Sequence, residues 1–211
     1  MSRFLAYGAA LLLVNAIGGA AVAETIRLLA LGDSLTAGYG LAPEASFAAQ
    51  LEKRLRADGF DVKVINAGVS GDTTAGGRAR LDWALADKPQ VAVVELGAND
   101  GLRGLDPQVT YANLDAILKR LGQENVRVVL AGMLAPPNYG RRFAEDFKAV
   151  FTRLAAEHKV VFYPFFLDGV ASDPAMNQGD GLHPTEKGVG VIVEKILPFV
   201  KQVLPPPGRA G

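Results

Sequence analysis

Apolar residues gather along this chain in five short, β-rich runs, at residues 26–31, 62–65, 91–95, 126–131 and 160–163. Runs that are continuously apolar rather than alternating suit strands buried on both faces. Between them the spacing turns helical. Pro43 is placed to open a helix that buries Phe47, Leu51 and Leu55 and stops at Gly59. Asp106 and Pro107 can cap a second, with Tyr111, Leu114, Leu118 and Leu121 inward and Gly122 as its stop. Phe143, Phe147, Val150, Phe151 and Leu154 form a third stripe at three-to-four spacing, and Pro198 is expected to end or kink the last helix. These stripes read as core. Strands alternating with helices imply a parallel sheet joined by right-handed crossovers. The expected fold class is therefore α/β, a three-layer α/β/α sandwich on a five-stranded parallel sheet.

The N-terminus breaks this pattern. Arg3 precedes an apolar stretch over residues 4–17, small residues follow at 18–21, and Ala21-Val22-Ala23 stands ahead of Glu24. That is the form of a secretory signal peptide cleaved after Ala23. The rival, an N-terminal membrane anchor, fits less well because the stretch is short and Asn15 interrupts it. The expected organisation is a leader over residues 1–23, one domain over 24–204, and a disordered tail over 205–211 that opens on a run of prolines. The expected location is periplasmic or secreted, with no stable membrane anchor.

A hydrophobic content of 49% with 21% charged residues suits one globular domain with a substantial core. Removing the leader takes Arg3 and no acidic residue, so a formal net charge of zero becomes −1. Basic residues do not cluster beyond pairs such as Arg141-Arg142, which argues against a nucleic-acid partner. The chain has no cysteine, which excludes disulfides, thiolate catalysis and cysteine metal sites.

Ligands on an open parallel sheet bind beyond the carboxyl ends of the strands. Four segments fall at such junctions: Gly32-Asp33-Ser34, Ser70-Gly71-Asp72, Gly97-Ala98-Asn99-Asp100 and Asp180-Gly181-Leu182-His183. Ser34 follows the first apolar run at once and is a candidate nucleophile, although a serine there also suits turn chemistry or helix capping. Its hydroxyl would need a neighbouring base. Of the two histidines, His158 closes the third helical stripe, where a cation favours the C-terminal dipole. His183 instead lies in a Gly-rich loop ahead of Pro184, three residues after Asp180. A carboxylate on the second ring nitrogen fixes the tautomer and stabilises the imidazolium; the same Asp180 also reads as a helix cap. The backbone N–H groups of Ser34 and Gly71 and the side-chain amide of Asn99 are candidate oxyanion donors. At Gly71 the missing Cβ would let backbone approach the oxyanion closely.

Gly-Asp-Ser-Leu near the mature N-terminus, then a glycine, then Gly-x-Asn-Asp, then Asp-x-x-His near the C-terminus resembles the SGNH (GDSL) hydrolases. The match covers nearly all of the mature chain. The resemblance implies Ser34 as nucleophile, Gly71 and Asn99 as oxyanion donors beside the Ser34 N–H, Asp180 as orienting acid and His183 as base. Gly68 is an alternative to Gly71 that fits the family's block less well. Longer stretches, at residues 31–40, 66–73, 94–105 and 138–143, resemble the thioesterase I / protease I / lysophospholipase L1 branch, which includes arylesterases. That likeness implies hydrolysis of small acyl esters and thioesters, possible lysophospholipid substrates, no cofactor or metal, and a flavodoxin-like strand order 2-1-3-4-5. It also implies a mobile substrate loop after Asn99. There Gly101 and Gly104 would permit movement, and Leu102 and Leu105 would offer apolar contact; Gly101, Leu102 and Leu105 are the expected substrate contacts.

Four rivals are weighed against this reading. The nucleophile elbow Gly-x-Ser-x-Gly is absent around Ser34, so an ordinary α/β-hydrolase fits poorly. Asp33, Asp72 and Asp100 could hold Mg²⁺ for phosphoryl hydrolysis, but this leaves Asp180, His183 and Asn99 without roles. A non-catalytic exported binding protein is disfavoured by the nucleophile, base and donors occurring together. Acyl length and leaving group are not readable from the sequence, because a pocket distinguishes methylenes by only about 1–3 kcal/mol each; among hydrolases, a carbohydrate deacetylase is the main alternative.

Overall fold

The computed structural model describes residues 25–206, so the leader and residues 207–211 of the tail lie outside the described residues. The apolar runs become β1 (Ile26–Gly32), β2 (Val62–Gly68), β3 (Val91–Glu95), β4 (Arg127–Ala131) and β5 (Val161–Tyr163). All pair in parallel in the order 2-1-3-4-5. The helices are α1 (Ser34–Ala37), α2 (Phe47–Ala57), α3 (Thr74–Ala79), α4 (Leu81–Leu85), α5 (Ala98–Leu102), α6 (Pro107–Gln123), α7 (Arg141–His158) and α8 (Glu186–Val203). Right-handed crossovers set α2 and α8 together on one face, with α3, α6 and α7 on the other. This covers β3 completely, and every residue of Val91–Glu95 is buried. On the edge strand β2, Lys63 and Asn66 are exposed.

Local punctuation is less decisive than the spacing suggests. Pro43 opens only a 3-10 turn, Pro43–Ala45; α2 begins after Ser46, whose hydroxyl accepts the Ala49 N–H at 3.4 Å. Gly122 lies inside α6, which ends when Asn125 takes a positive φ of 58°. Its neighbours Leu118 and Leu121 are buried, and that packing outweighs the glycine's cost of about 1 kcal/mol. Pro198 does not end α8, because Ile196, Leu197, Val200 and Val203 remain buried on both sides of it. His158 does close α7, and its Nε2 lies 2.9 Å from Asp115 Oδ1, tying α7 to α6.

The strand order makes β1 and β3 neighbours whose outgoing connections leave for opposite faces. The crevice between them is the topological switch point at which this architecture binds ligands. Ser34 leaves the end of β1, and Asn99 follows the end of β3.

Candidate active site

The nucleophile turn closes tightly on β3. A Cβ on Gly32 would lie 2.0 Å from Thr36 Oγ1 and 2.5 Å from Glu95 Oε2, so only glycine fits. Asp33 Oδ1 accepts the Leu35 N–H at 3.0 Å and caps α1, which puts Ser34 at the first helical position. The Ser34 N–H there meets no acceptor among the described residues. His183 Nε2 lies 2.9 Å from Ser34 Oγ, and its Nδ1 lies 2.6 Å from Asp180 Oδ2. Asp180 Oδ1 accepts the N–H groups of Leu182 at 2.9 Å and His183 at 3.0 Å. These bonds, the backbone N–H of His183 foremost, hold the Asp180 carboxyl well below the usual carboxylate range. Asp180 is not the cap of α8; Thr185 is, accepting the Gly188 N–H at 3.2 Å.

Two residues without a sequence signal lace this loop to the nucleophile turn. The Tyr39 ring lies against His183, centroids 4.5 Å apart. Gln178 donates from Nε2 to the carbonyls of Tyr39 at 2.8 Å and Pro184 at 2.9 Å, and from its N–H to the His183 carbonyl at 2.7 Å.

The oxyanion candidates converge on the same edge, with two corrections to the expected physics. Gly71 is exposed, and a Cβ there would meet nothing within 4 Å; glycine is favoured by its φ of +84°, not by a close approach. Its N–H has no acceptor among the described residues, whereas the Gly68 N–H is taken by Asn66 Oδ1 at 3.0 Å. Asn99 Nδ2 already donates to the Asp72 carbonyl at 2.9 Å and to Asp33 Oδ2 at 3.1 Å. An oxyanion would therefore take over the longer of these two bonds.

Beneath the turn lies a buried carboxyl pair whose second member the motif does not announce. Glu95 Oε2 accepts from Thr36 Oγ1 at 2.7 Å and from the Asp33 N–H at 3.3 Å, while Oε1 has no partner among the described residues. Burial, then the charge of Asp33, pushes the Glu95 carboxyl well above its ordinary value. Burial likewise pushes Asp33 up to about 6, against the Leu35 N–H and the Asn99 amide, which favour the charged form. The available signal was an acidic residue closing the otherwise apolar VAVVE strand.

A pH-dependent consequence follows for Asp33. A carboxyl with a raised folded pKa binds more protons folded than unfolded, so stability declines as pH rises toward about 6 and stays lower above it. Asp33→Asn removes that cost, so its gain in Tm should be larger at about pH 8 than at about pH 4.5, read by scanning calorimetry. An equal Tm change at both pH values would show that Asp33 carries no such cost.

Asp33, Asp72 and Asp100 do not assemble a metal site. Asp72 Oδ2 accepts from Arg80 Nε at 2.6 Å, and buried Asp100 accepts the Thr74 N–H at 2.8 Å and hydroxyl at 2.5 Å. Among the described residues, no three His, Cys, Asp or Glu side chains group so as to hold a metal ion.

Beside Ser34 and His183 opens a cavity of about 590 Å³. Its apolar wall includes Leu102, Met133, Leu134, Pro136, Phe165 and Leu167. Of the expected substrate contacts, Leu102 lines it, and Gly101 and Leu105 do not. Gly101 and Leu102 belong to α5 rather than to a loop, and Gly101 is buried beside Phe147. Leu105 donates its N–H to the Asp100 carbonyl at 3.0 Å, and Gly104, with φ +62°, lies under the Tyr139 ring. Tyr139 also donates its hydroxyl to the Leu102 carbonyl at 3.0 Å, fixing this rim. The far wall was missed because it comes from the segments after β4 and β5, which carry no motif. The signal was that apolar residues continue past β4 through Met133, Leu134 and Ala135.

The profile of the GDSL-like Lipase/Acylhydrolase family matches residues 30–191, which contain every group described above. The chain belongs to this family. Among its GDSL-like relatives, esterase TesA of Pseudomonas aeruginosa is 43% identical over 185 residues, 87% of this chain and 91% of that protein. Thioesterase 1/protease 1/lysophospholipase L1 of Escherichia coli K12 is 43% identical over 166 residues, 78% of this chain and 77% of its relative. A crystal structure of TesA superposes with a TM-score of 0.81 at 43% identity, covering 84% of this chain and 99% of that one. Membership in the GDSL-like family makes the chain an acyl hydrolase.

Proposed function

We propose that this protein is a serine esterase that hydrolyses small acyl esters and thioesters, lysophospholipids among them, through an acyl-enzyme on Ser34. The observation that carries this reading is the continuous line from Asp180 Oδ2 to His183 Nδ1 at 2.6 Å and from His183 Nε2 to Ser34 Oγ at 2.9 Å, at the mouth of an apolar cavity. With its proton on Nδ1, His183 is an acceptor at Nε2 and takes the hydroxyl proton as Ser34 Oγ attacks the carbonyl carbon. The oxyanion of the tetrahedral intermediate is received by the N–H groups of Ser34 and Gly71 and by the Asn99 amide. Collapse expels the alcohol or thiol, which leaves with the proton from His183. Water then attacks the acyl group by the same route, regenerating Ser34. No step calls for a metal or cofactor.

The apolar wall favours an acyl chain over a sugar, which separates this reading from carbohydrate deacetylation. The relatives' names, esterase and thioesterase, agree with it. Arg3, the apolar stretch and the Ala21-Val22-Ala23 sequence support export to the periplasm or beyond, with cleavage after Ala23. Among the described residues no helix is long and apolar enough to cross a membrane.

The test is a series of 4-nitrophenyl esters of increasing acyl length, run beside an acyl-CoA and a lysophospholipid. Medium-length chains should exceed acetate in kcat/KM, because each methylene buried on the cavity wall contributes about 0.8 kcal/mol. A charge placed on that wall by Leu102→Asp should erase the preference while sparing acetate. A series highest for acetate and falling with length would turn the reading toward a deacetylase.

A further inference from the structure

Arg80 stands between α3 and α4, outside every motif, yet its guanidinium reaches beneath the edge of the sheet where the oxyanion candidates meet. Its Nη2 donates to the Gly32 carbonyl at 2.8 Å, its Nη1 to the Ala67 carbonyl at 2.7 Å, and its Nε to Asp72 Oδ2 at 2.6 Å. One planar group thus grips the end of β1, the end of β2 and the loop that follows β2. The side chains of Arg80 and Asp72 are each only 18% exposed, so the pair is shielded from competing water.

What those three anchor points carry gives the contact its meaning. Gly32 is two residues before the Ser34 N–H. Ala67 and Asp72 bracket the Gly71 N–H. The Asp72 carbonyl receives the Asn99 amide, so the third donor is referenced to the same loop. Where the loop enters α3 it is also held by Thr74, whose N–H and hydroxyl bond buried Asp100 at 2.8 and 2.5 Å; among the described residues the remaining holds on 69–72 are slighter. They are the Val69 N–H to the Gly32 carbonyl at 3.1 Å, the Asp72 N–H to the Val69 carbonyl at 3.1 Å, and exposed Arg103 donating to the Gly71 carbonyl at 3.0 Å.

We infer that Arg80 is a positioning residue for the oxyanion hole: its fork fixes the separation between the Ser34 and Gly71 N–H groups and, through Asp72, the placement of Asn99. The inference rests on the reading of Ser34, Gly71 and Asn99 as oxyanion donors. A lysine cannot replace this group, because a single ammonium does not present the fixed fork that spans three acceptors on two strands and a loop. Displacement of donors acts where charge develops, so the loss falls on kcat rather than on substrate affinity.

The experiment compares Arg80→Lys, Arg80→Gln and Asp72→Asn with the parent and with Asn99→Ala on a medium-chain 4-nitrophenyl ester. Active sites are titrated with an organophosphonate, and kcat per titrated site, KM, Tm and the affinity of an alkylboronic acid are measured. The boronate forms a tetrahedral adduct on serine and so reports the oxyanion geometry. In the Arg80 variants kcat per site should fall roughly 10- to 100-fold with KM within about twofold, as expected for donors misplaced by about 1 Å. Boronate affinity should fall in step, with lysine between arginine and glutamine. Variants that lose Tm but keep the parent's kcat per site and boronate affinity would reduce Arg80 to a structural residue and overturn the inference. Should Arg80→Gln fail to fold, Asp72→Asn, which breaks one of the three bonds and keeps the guanidinium, decides the same question by the same two readouts. If Asn99→Ala also leaves kcat and boronate affinity unchanged, the oxyanion assignment itself falls; if only the Arg80 and Asp72 variants do, the positioning role alone falls.

Discussion

Replacing Ser34 by alanine is expected to abolish ester hydrolysis while leaving the fold intact, with kcat falling on the order of 10⁶-fold, the scale on which removal of a serine nucleophile acts. The Ser34 hydroxyl bonds only to His183 among the described residues. The α1 cap is made by Asp33, and the Ser34 backbone N–H survives the substitution. Nothing in the core loses a contact, so stability should stay within roughly 0.5 kcal/mol of the parent. Phosphonate labelling followed by peptide mass mapping should find the adduct on Ser34 in the parent and none in the variant. Because the oxyanion donors remain, the variant should still exceed the uncatalysed reaction by roughly 10³- to 10⁴-fold. Near-normal turnover without Ser34 would remove it from the mechanism.

Much of this arrangement was legible because buried parallel strands write themselves as mainly apolar runs, broken here only near their starts by Arg27, Lys63 and Arg127 and at one end by Glu95. The 91–95 run is β3 to the residue, and 126–131 overshoots β4 by one. The 62–65 run stops short of β2, which continues to Gly68, because polar Asn66 is tolerated on an edge strand facing solvent. Pro43 and Gly122 misled for the opposite reason, and Pro198 fails to end α8 for the same one. Each is a local preference of a few kcal/mol or less, overruled by a hydroxyl cap or by buried leucines and isoleucines that the local rule does not see. At the site, the residues that meet in the structure at Ser34 are those carried by short motifs. Gln178, Tyr39 and Arg80 were not legible, because each acts by reaching a backbone or side chain far away in sequence, whereas Glu95 left only the mark of an acidic residue closing an apolar strand. Arg80 lies 48 residues from the Gly32 carbonyl it holds, and Gln178 lies 139 from that of Tyr39. The segment after Asn99 reads as a loop through its glycines, but Gly101 and Leu102 lie in α5, and Gly101 and Gly104 are seated against Phe147 and Tyr139.

Substituting Asp180 by asparagine is expected to be the second most damaging change, lowering kcat by roughly 10³-fold, less than the roughly 10⁴-fold for a fully buried carboxylate in this role. The discount reflects a side chain that is 39% exposed, so water can solvate part of the imidazolium charge. The damage comes from the proton on His183. The substituted amide can keep its oxygen on the N–H groups of Leu182 and His183, which the aspartate now satisfies at 2.9 and 3.0 Å, so the loop should hold its shape. It then turns an N–H toward Nδ1, which must become an acceptor. The ring proton moves to Nε2, and a protonated Nε2 faces Ser34 Oγ with no lone pair to receive its hydrogen. In the parent, the hydrogen bonds that hold the Asp180 carboxyl well below the usual range keep it ionised, so it remains an acceptor for the Nδ1 proton. Steady-state kinetics of the phosphonate-titrated variant at about pH 8 measures kcat per site. A value within about tenfold of the parent would mean that Asp180 only shapes the loop and that another group orients His183.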